Sequence, residues 1–245
     1  EWSRQDRSAL QRTVIALAAK HFTEEQIEDI VGLTAKREEA QHLEDIATLP
    51  GISFSVLKRR LEEFCQFPKT AVKLPPSDTI ATRVALMRQF VSDHVDFLTI
   101  ARNYIQIRDL NEIANRTIGP KNGMGRIGGK SAGLVLAYRI LEDYYRERGK
   151  PPVMPIRIPD SYYLRSDLND EFVRRNGLMA YASQKYKPLE AIEADFPLLH
   201  ELFHSGTFPP DVVNKVRKLL EQLGRVPLIL RSSSLLEDSL GAAFS

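Results

Sequence analysis

The chain has 245 residues, of which 43% are hydrophobic, and its 34 basic residues nearly balance 32 acidic ones, giving a formal net charge of +2. This balance excludes a chain specialised for coating nucleic acid or an anionic membrane surface. The single cysteine, Cys65, excludes an internal disulfide framework and predicts a reducing, cytoplasmic location. Apolar runs such as residues 14–19 are far shorter than the ~20 residues of a membrane span.

The first third of the chain reads as helices. Apolar residues at 3.6-residue spacing predict a helix over residues 8–22, and Thr23 with Gln26 forms a capping-box start for a short helix ending near Gly32. Two more helices are predicted over residues 34–49 and 53–67. Residues 1–75 are therefore interpreted as a helical module of unknown role, suited to contact a protein partner or a second copy of the chain.

A proline pair, Pro75-Pro76, marks a linker after this module, because proline cannot continue a helix. The apolar spacing then predicts one long helix from Ser77 to about Ile107, within a connecting segment over residues 76–117.

From residue 118 to residue 245 the pattern becomes mixed. Short strands are predicted at residues 153–158 and 226–230, and helices at residues 134–148, 166–175, 189–204 and 210–223. The predicted fold class is therefore α+β, with an all-helical module preceding a mixed domain.

The most unusual stretch is GRIGGKSAGL at residues 125–134. A P-loop would need glycine at position 124, which is Met124. Gly123, Gly125 and Gly128 match G-x-G-x-x-G in letters, yet no buried strand is predicted before them, so a dinucleotide fingerprint is not supported.

What remains is a flexible glycine loop that places Lys130 at the start of a helix. A helix N-terminus offers unpaired N–H groups and a positive dipole end, and the lysine adds a point charge. This combination predicts an anion site. The alternative is an ordinary surface loop with a solvated lysine.

A second candidate lies near the end of the sequence. The predicted buried strand at residues 226–230 leads into Arg231, followed by Ser232, Ser233 and Ser234. Ligands collect at the carboxyl ends of strands in such domains, and arginine grips phosphate oxygens with two hydrogen bonds. Ser234 and Glu237 also fit a capping box that begins another helix. A phosphate-binding loop and a capped helix start are compatible with each other.

Three segments in this order carry a family resemblance: IGGKSAGL at residues 127–134, IRIPDSYYLRSD at residues 156–167 and PLILRSSSLLEDSLGAAFS at residues 227–245. Together they resemble the nucleotide-binding domain of phosphoenolpyruvate synthase and pyruvate phosphate dikinase. The resemblance covers residues 118–245, about half of the chain, and does not extend to the helical module.

The resemblance implies the first lobe of an ATP-grasp domain, in which ATP lies between two α+β lobes. It assigns the ATP phosphates to Lys130, with its neighbours Gly128 and Gly129, and to Arg231. It places Ser232, Ser233, Glu237 and Asp238 along the same nucleotide site. Members of the family transfer phosphoryl from ATP to a histidine on a separate domain, and from there to pyruvate or another acceptor.

The sequence stops at Ser245, where the family pattern continues into a second lobe with the carboxylates that bind Mg²⁺. We therefore expect the metal ligands beyond residue 245, and no catalysis by these residues alone, although a longer protein would act as an ATP-dependent dikinase. A non-catalytic relative that senses ATP, with a partner bound to its helical module, is the alternative.

A different chemistry is suggested by the sequence HELFH. His200 and His204 would share one face of a helix and could bind Zn²⁺, with Glu201 as the general base of a hydrolase. Against this, Pro197 and Gly206 leave only about two helical turns, and no further ligand motif follows. Two surface histidines on a packing helix are the preferred interpretation.

Overall fold

The computed structural model describes residues 4–66, 74–149, 156–181 and 184–232. Besides two short 3-10 helices, Leu178–Tyr181 and Gln184–Tyr186, these residues contain ten α-helices and two short strands. In chain order they are α1 (Arg4–His21), α2 (Glu24–Thr48), α3 (Phe54–Gln66), α4 (Pro76–Phe90), α5 (Val95–Tyr104), α6 (Ile107–Asn115), β1 (Thr117–Ile118), α7 (Gly129–Arg148), β2 (Tyr163–Leu164), α8 (Asp167–Arg175), α9 (Leu189–Ser205) and α10 (Pro210–Leu223). The fold is mostly helical and is compatible with the α+β class. None of these helices is both long enough and apolar enough to cross a membrane.

The predicted capping box at Thr23 is confirmed. The Gln26 N–H donates to Thr23 Oγ1 at 3.3 Å, and the Thr23 N–H donates to Gln26 Oε1 at 2.9 Å. The predicted end of this helix near Gly32 is wrong, because α2 continues to Thr48 with Gly32 buried inside it. Packing of α2 against α3 and α4 outweighs the cost of about 1 kcal/mol for a glycine within a helix.

The single long helix predicted after the proline linker is also wrong. Three helices, α4, α5 and α6, occupy that segment. The first break buries Val91 completely and the second buries Ile105. The second break is held by the buried Arg83, which donates to the Ile105 carbonyl at 3.4 Å and to Gln106 Oε1 at 3.3 Å. Because the chain turns at these two breaks, α5 and α6 pack against α4 and bury apolar side chains that one straight helix would leave exposed.

One hydrophobic core joins the N-terminal helices to the start of α7. Its buried members include Leu43, Leu57, Leu61, Leu86, Phe90, Leu110, Ile127, Ala132 and Val135. Residues before position 75 and after position 117 thus share one core, and the domain boundaries predicted at these positions stay a prediction.

A small parallel sheet connects the two halves of the described chain. Thr117 pairs with Tyr163 and Ile118 pairs with Leu164. The strand predicted at residues 226–230 is wrong: this segment is neither helix nor strand, and Ile229 and Leu230 are 89% and 90% exposed. The same holds for residues 156–158 of the other predicted strand, whereas residues 153–155 lie outside the described residues. A strand needs a partner backbone for its hydrogen bonds and an apolar layer to cover it. In the described part of the chain, neither of these two segments pairs with another strand.

Candidate functional site

The glycine segment, residues 119–128, runs from the end of β1 to the start of α7. It is held by neighbouring elements on both sides. The Phe54 N–H at the start of α3 donates to the Gly123 carbonyl at 3.0 Å, and the Ile127 N–H donates to the Phe90 carbonyl at the end of α4 at 3.1 Å. The segment is thus anchored to the helical core, and the expectation of a flexible loop is corrected.

The residues that follow β2 hold the same segment from a third side. Asp167 Oδ2 accepts a hydrogen bond from the Gly125 N–H at 3.0 Å. Ser166 and Arg126 are joined twice, by the Arg126 N–H to Ser166 Oγ at 3.2 Å and by the Ser166 N–H to the Arg126 carbonyl at 3.0 Å. Because β1 and β2 are parallel, the segments leaving their carboxyl ends meet at one edge of the sheet.

Arg165 is the central side chain of this junction and is only 3% exposed. Its guanidinium donates to the Gly123 carbonyl at 3.2 Å and also to the Pro120 carbonyl, and its Nε lies 3.3 Å from Asp167 Oδ1. Its Cζ stands 4.5 Å from the ring centroid of Phe54. Burial lowers the pKa of Arg165, and the charge of Asp167 opposes that shift.

Sequence reasoning missed the role of Arg165, which appeared only as one letter in a segment used for the family resemblance. An arginine in the sequence YYLRSD, residues 162–167, has no local pattern that predicts burial. Its partners lie about 40 residues earlier, so the contacts depend on the pairing of β1 with β2.

The glycines of this segment are required for close approach. A Cβ at Gly125 would lie 2.5 Å from the backbone nitrogen of Asp167, and one at Gly123 would lie 2.6 Å from Arg165 Nη2. In the described residues, glycines with positive φ occur elsewhere, at Gly51, Gly149, Gly177 and Gly224. Contact with Arg165 and Asp167 therefore explains why glycine stands at positions 123 and 125.

The helix start predicted near Lys130 is confirmed. Gly128 is the N-cap of α7 and makes no side-chain capping bond, and the first turn contains no acidic residue. Gly128 and Gly129 are buried, while Lys130 is exposed and Ser131 is half-buried. The N-terminus of a helix is the positive end of its dipole, so this end is suited to accept an anion beside a lysine.

The second group of predicted ligands lies partly outside the described residues. Arg231 and Ser232 are exposed and belong to no regular element. Ser233, Glu237 and Asp238 fall beyond residue 232, outside the description. The joint action of Lys130 and Arg231 at one site stays a prediction.

The two histidines of the HELFH motif share one helix face, as predicted. Their ring centroids are 4.4 Å apart, and both side chains are exposed on α9. The expected limit of two turns is wrong, because α9 has 17 residues and contains Pro197. Within the described ranges, no group of three or more His, Cys, Asp or Glu side chains could hold a metal ion. The motif therefore finds no third zinc ligand there.

Comparison with known proteins agrees with the position of these features. The family model for the pyruvate phosphate dikinase AMP/ATP-binding domain matches residues 124–245. The match begins inside the glycine segment and includes Lys130 and Arg231. Searches of curated proteins and of solved structures returned no match.

Proposed function

Residues 124–245 belong to the family of pyruvate phosphate dikinase AMP/ATP-binding domains, and on this premise we propose that the chain is the N-terminal part of a phosphoenolpyruvate synthase-like phosphotransferase. In this proposal the first lobe of an ATP-grasp domain binds the ATP phosphates. Phosphoryl then passes to a histidine in a separate domain and on to pyruvate or another acceptor.

The observation that carries the proposal is the start of α7. A buried glycine pair leads into Lys130 at the positive end of a 20-residue helix, whose first turn contains no acidic residue. An ammonium group beside helix N–H groups favours a phosphate by both charge and hydrogen bonding. The hydrogen bonds to Asp167 and to the Phe90 carbonyl fix the segment that precedes this helix.

Arg231 supplies the second phosphate contact in the proposal. Its guanidinium can bind two phosphate oxygens at once, whereas Lys130 acts as a point charge. Together they would orient the triphosphate and offset charge that develops during transfer. Among the described residues, no group of three or more His, Cys, Asp or Glu side chains could hold a metal ion.

An ATP-sensing role without catalysis is the second candidate, and the shared core favours it. Ile127, Ala132 and Val135, on either side of Lys130, pack in the same core as the N-terminal helices. Nucleotide bound at Lys130 would therefore act on the packing of the helical module. A protein partner bound to that module could respond to the nucleotide.

ATP titration of the 245-residue chain by NMR tests the site, because shift changes report weak binding. Lys130→Ala and Arg231→Ala should each weaken ATP binding about tenfold or more, since a hydrogen bond to a charged group contributes about 1.5–3 kcal/mol. Lys20→Ala at the exposed end of α1 and Arg225→Ala near Arg231 are matched controls that should bind like the parent. Unchanged affinity in both site variants would contradict the assignment.

Catalysis is tested in a longer protein that contains a carrier histidine. ATP turnover with candidate acceptors should fall in Lys130→Ala and Arg231→Ala and persist in the two controls. ATP binding without any turnover or phosphohistidine in the longer protein would favour the sensing role.

A further inference from the structure

A second basic site, separate from Lys130 and Arg231, lies at the carboxyl ends of β1 and β2. A cavity of about 440 Å³ opens there between the start of α3, the end of β1 and one face of α10. We call it the basic pocket, because five cationic side chains line it: Lys58, Lys121, Arg165, Lys215 and Lys218. No carboxylate is among its lining residues.

Three of these cations have a carboxylate partner that does not itself line the pocket. Lys58 Nζ lies 3.6 Å from Glu62, and Lys215 Nζ lies 3.7 Å from Asp211, each on its own helix. Arg165 is paired with Asp167. The lining therefore has a surplus of about two positive charges, which belongs to the remaining lysines.

Lys121 and Lys218 are that surplus. Both are exposed, and neither forms an ion pair with any residue in the described part of the chain. They come from different elements, since Lys121 follows β1 and Lys218 lies on α10. Two like charges that line one cavity repel each other, and an anion bound between them would offset that repulsion.

The wall of the pocket also holds polar side chains. Arg165 is almost fully buried there, with its Nε beside the Asp167 carboxylate. Ser55 and Asn115, which also line the cavity, carry further side-chain donors. The pocket thus offers donors and positive charge together.

We propose that the basic pocket binds a small molecule carrying two or more phosphate groups. Each phosphate brings close to two negative charges and several acceptor oxygens, which suits spaced ammonium groups and neutral donors. The cavity is within the range of small-molecule sites. The carboxyl edge of parallel strands is also where ligands of mixed folds collect.

This site is distinct from the proposed ATP site, because neither Lys130 nor Arg231 lines the cavity. Its walls come from α3 of the N-terminal helices and from α10 of the region that the family model matches. A bound ligand would therefore join these two parts of the chain.

Inorganic pyrophosphate is the probe, titrated calorimetrically into the 245-residue chain at low ionic strength. The Lys121→Ala/Lys218→Ala double variant should lose affinity at least tenfold, and added salt should weaken binding to the parent chain. Arg217→Ala is the matched control, since Arg217 is adjacent to Lys218 on α10 but does not line the pocket. It should bind within twofold of the parent. Both lysines are exposed, so the double variant should keep the parental melting temperature.

Three further measurements distinguish the basic pocket from the proposed ATP site and from a nucleic-acid site. Lys130→Ala should retain pyrophosphate binding, and inorganic phosphate and citrate should bind more weakly than pyrophosphate. Unchanged affinity in the double variant, an equal loss in Arg217→Ala, or loss only in Lys130→Ala would overturn the basic pocket. A single-stranded oligonucleotide that binds more tightly than pyrophosphate and loses affinity in the double variant would overturn the small-molecule assignment.

Discussion

The Gly125 N–H donates a hydrogen bond to the carboxylate of Asp167 at 3.0 Å, across 42 positions of sequence. A carboxylate that accepts from a backbone N–H makes a stronger bond than a neutral acceptor would. Through this bond, the residues after β2 hold the segment that leads to Lys130. The position of the proposed phosphate site therefore depends on a residue that would contact no phosphate.

Gly125→Ala should destabilise the chain by about 1–3 kcal/mol, the usual cost of forcing extra volume into a packed site. The new methyl group would meet the backbone of Asp167, which cannot move aside as a side-chain end can. The free energy of unfolding in urea measures the effect.

The control for this substitution is Gly133→Ala within α7. No atom lies within 4 Å of a Cβ placed there. Replacing an exposed helical glycine by alanine should raise stability by about 0.5–1 kcal/mol. Equal effects of the two substitutions would contradict the close approach of Gly125 and Asp167.

Arg165→Lys should cost about 2 kcal/mol or more, although the charge is kept. Lysine cannot donate to the carbonyls of Gly123 and Pro120 with one planar group that also covers Phe54. Urea unfolding measures the change. In Arg116→Lys, where an exposed arginine faces Asp160, stability should stay within about 0.5 kcal/mol. A neutral result for Arg165→Lys would mean that the guanidinium geometry is not required.

Leu61→Ala in α3 should weaken α7 as well as α3. Leu61 is fully buried in the core that contains Ala132 and Val135, and such truncations cost about 2–5 kcal/mol. Hydrogen exchange should therefore show lower protection of amides in both helices. Val56→Ala, at an exposed position of α3, is the control and should alter neither. Undiminished protection of α7 would show that residues 1–75 form an independent unit.

The pKa of Asp195 should lie below the usual range for aspartate. The Gln184 side chain donates to its carboxylate at 2.9 Å, and Lys187 Nζ donates at 2.5 Å. Because the folded state lowers this pKa, the contribution to stability is present above the ordinary aspartate value and is lost as the pH falls through the lowered one. Carboxyl NMR titration should show a rise in Gln184→Ala and in Lys187→Ala, whereas Lys187→Arg should keep the value low.

We expect purified protein to contain less than stoichiometric zinc after dialysis. His200 and His204 supply two ligands, and a catalytic zinc site takes three from the protein. Metal analysis checks this, with His42→Ala as a control histidine away from α9. One zinc per chain, retained in His42→Ala and lost in His204→Ala, would establish the hydrolase motif instead.

Local signals predicted the local features well. The capping box at Thr23 and the start of α7 near Lys130 depend on a few adjacent residues, and both are confirmed. The break expected at Gly32 and the unbroken helix expected after Ser77 were wrong, because packing between helices decides where a helix continues. The prediction of a strand before Arg231 was wrong for a related reason, since a run of apolar residues does not by itself provide a partner strand.

The sequence by itself determined which residues were available to hold phosphate: a lysine behind paired glycines, and an arginine before serines, in an order that identifies the family. Only the tertiary structure decided what the glycines do and which residues support them. Arg165 and Asp167 reach the glycine segment because β1 and β2 pair in parallel, and the basic pocket forms where α10 approaches the end of β1. These contacts join residues about 40 to 100 positions apart, and no spacing within a short motif records them.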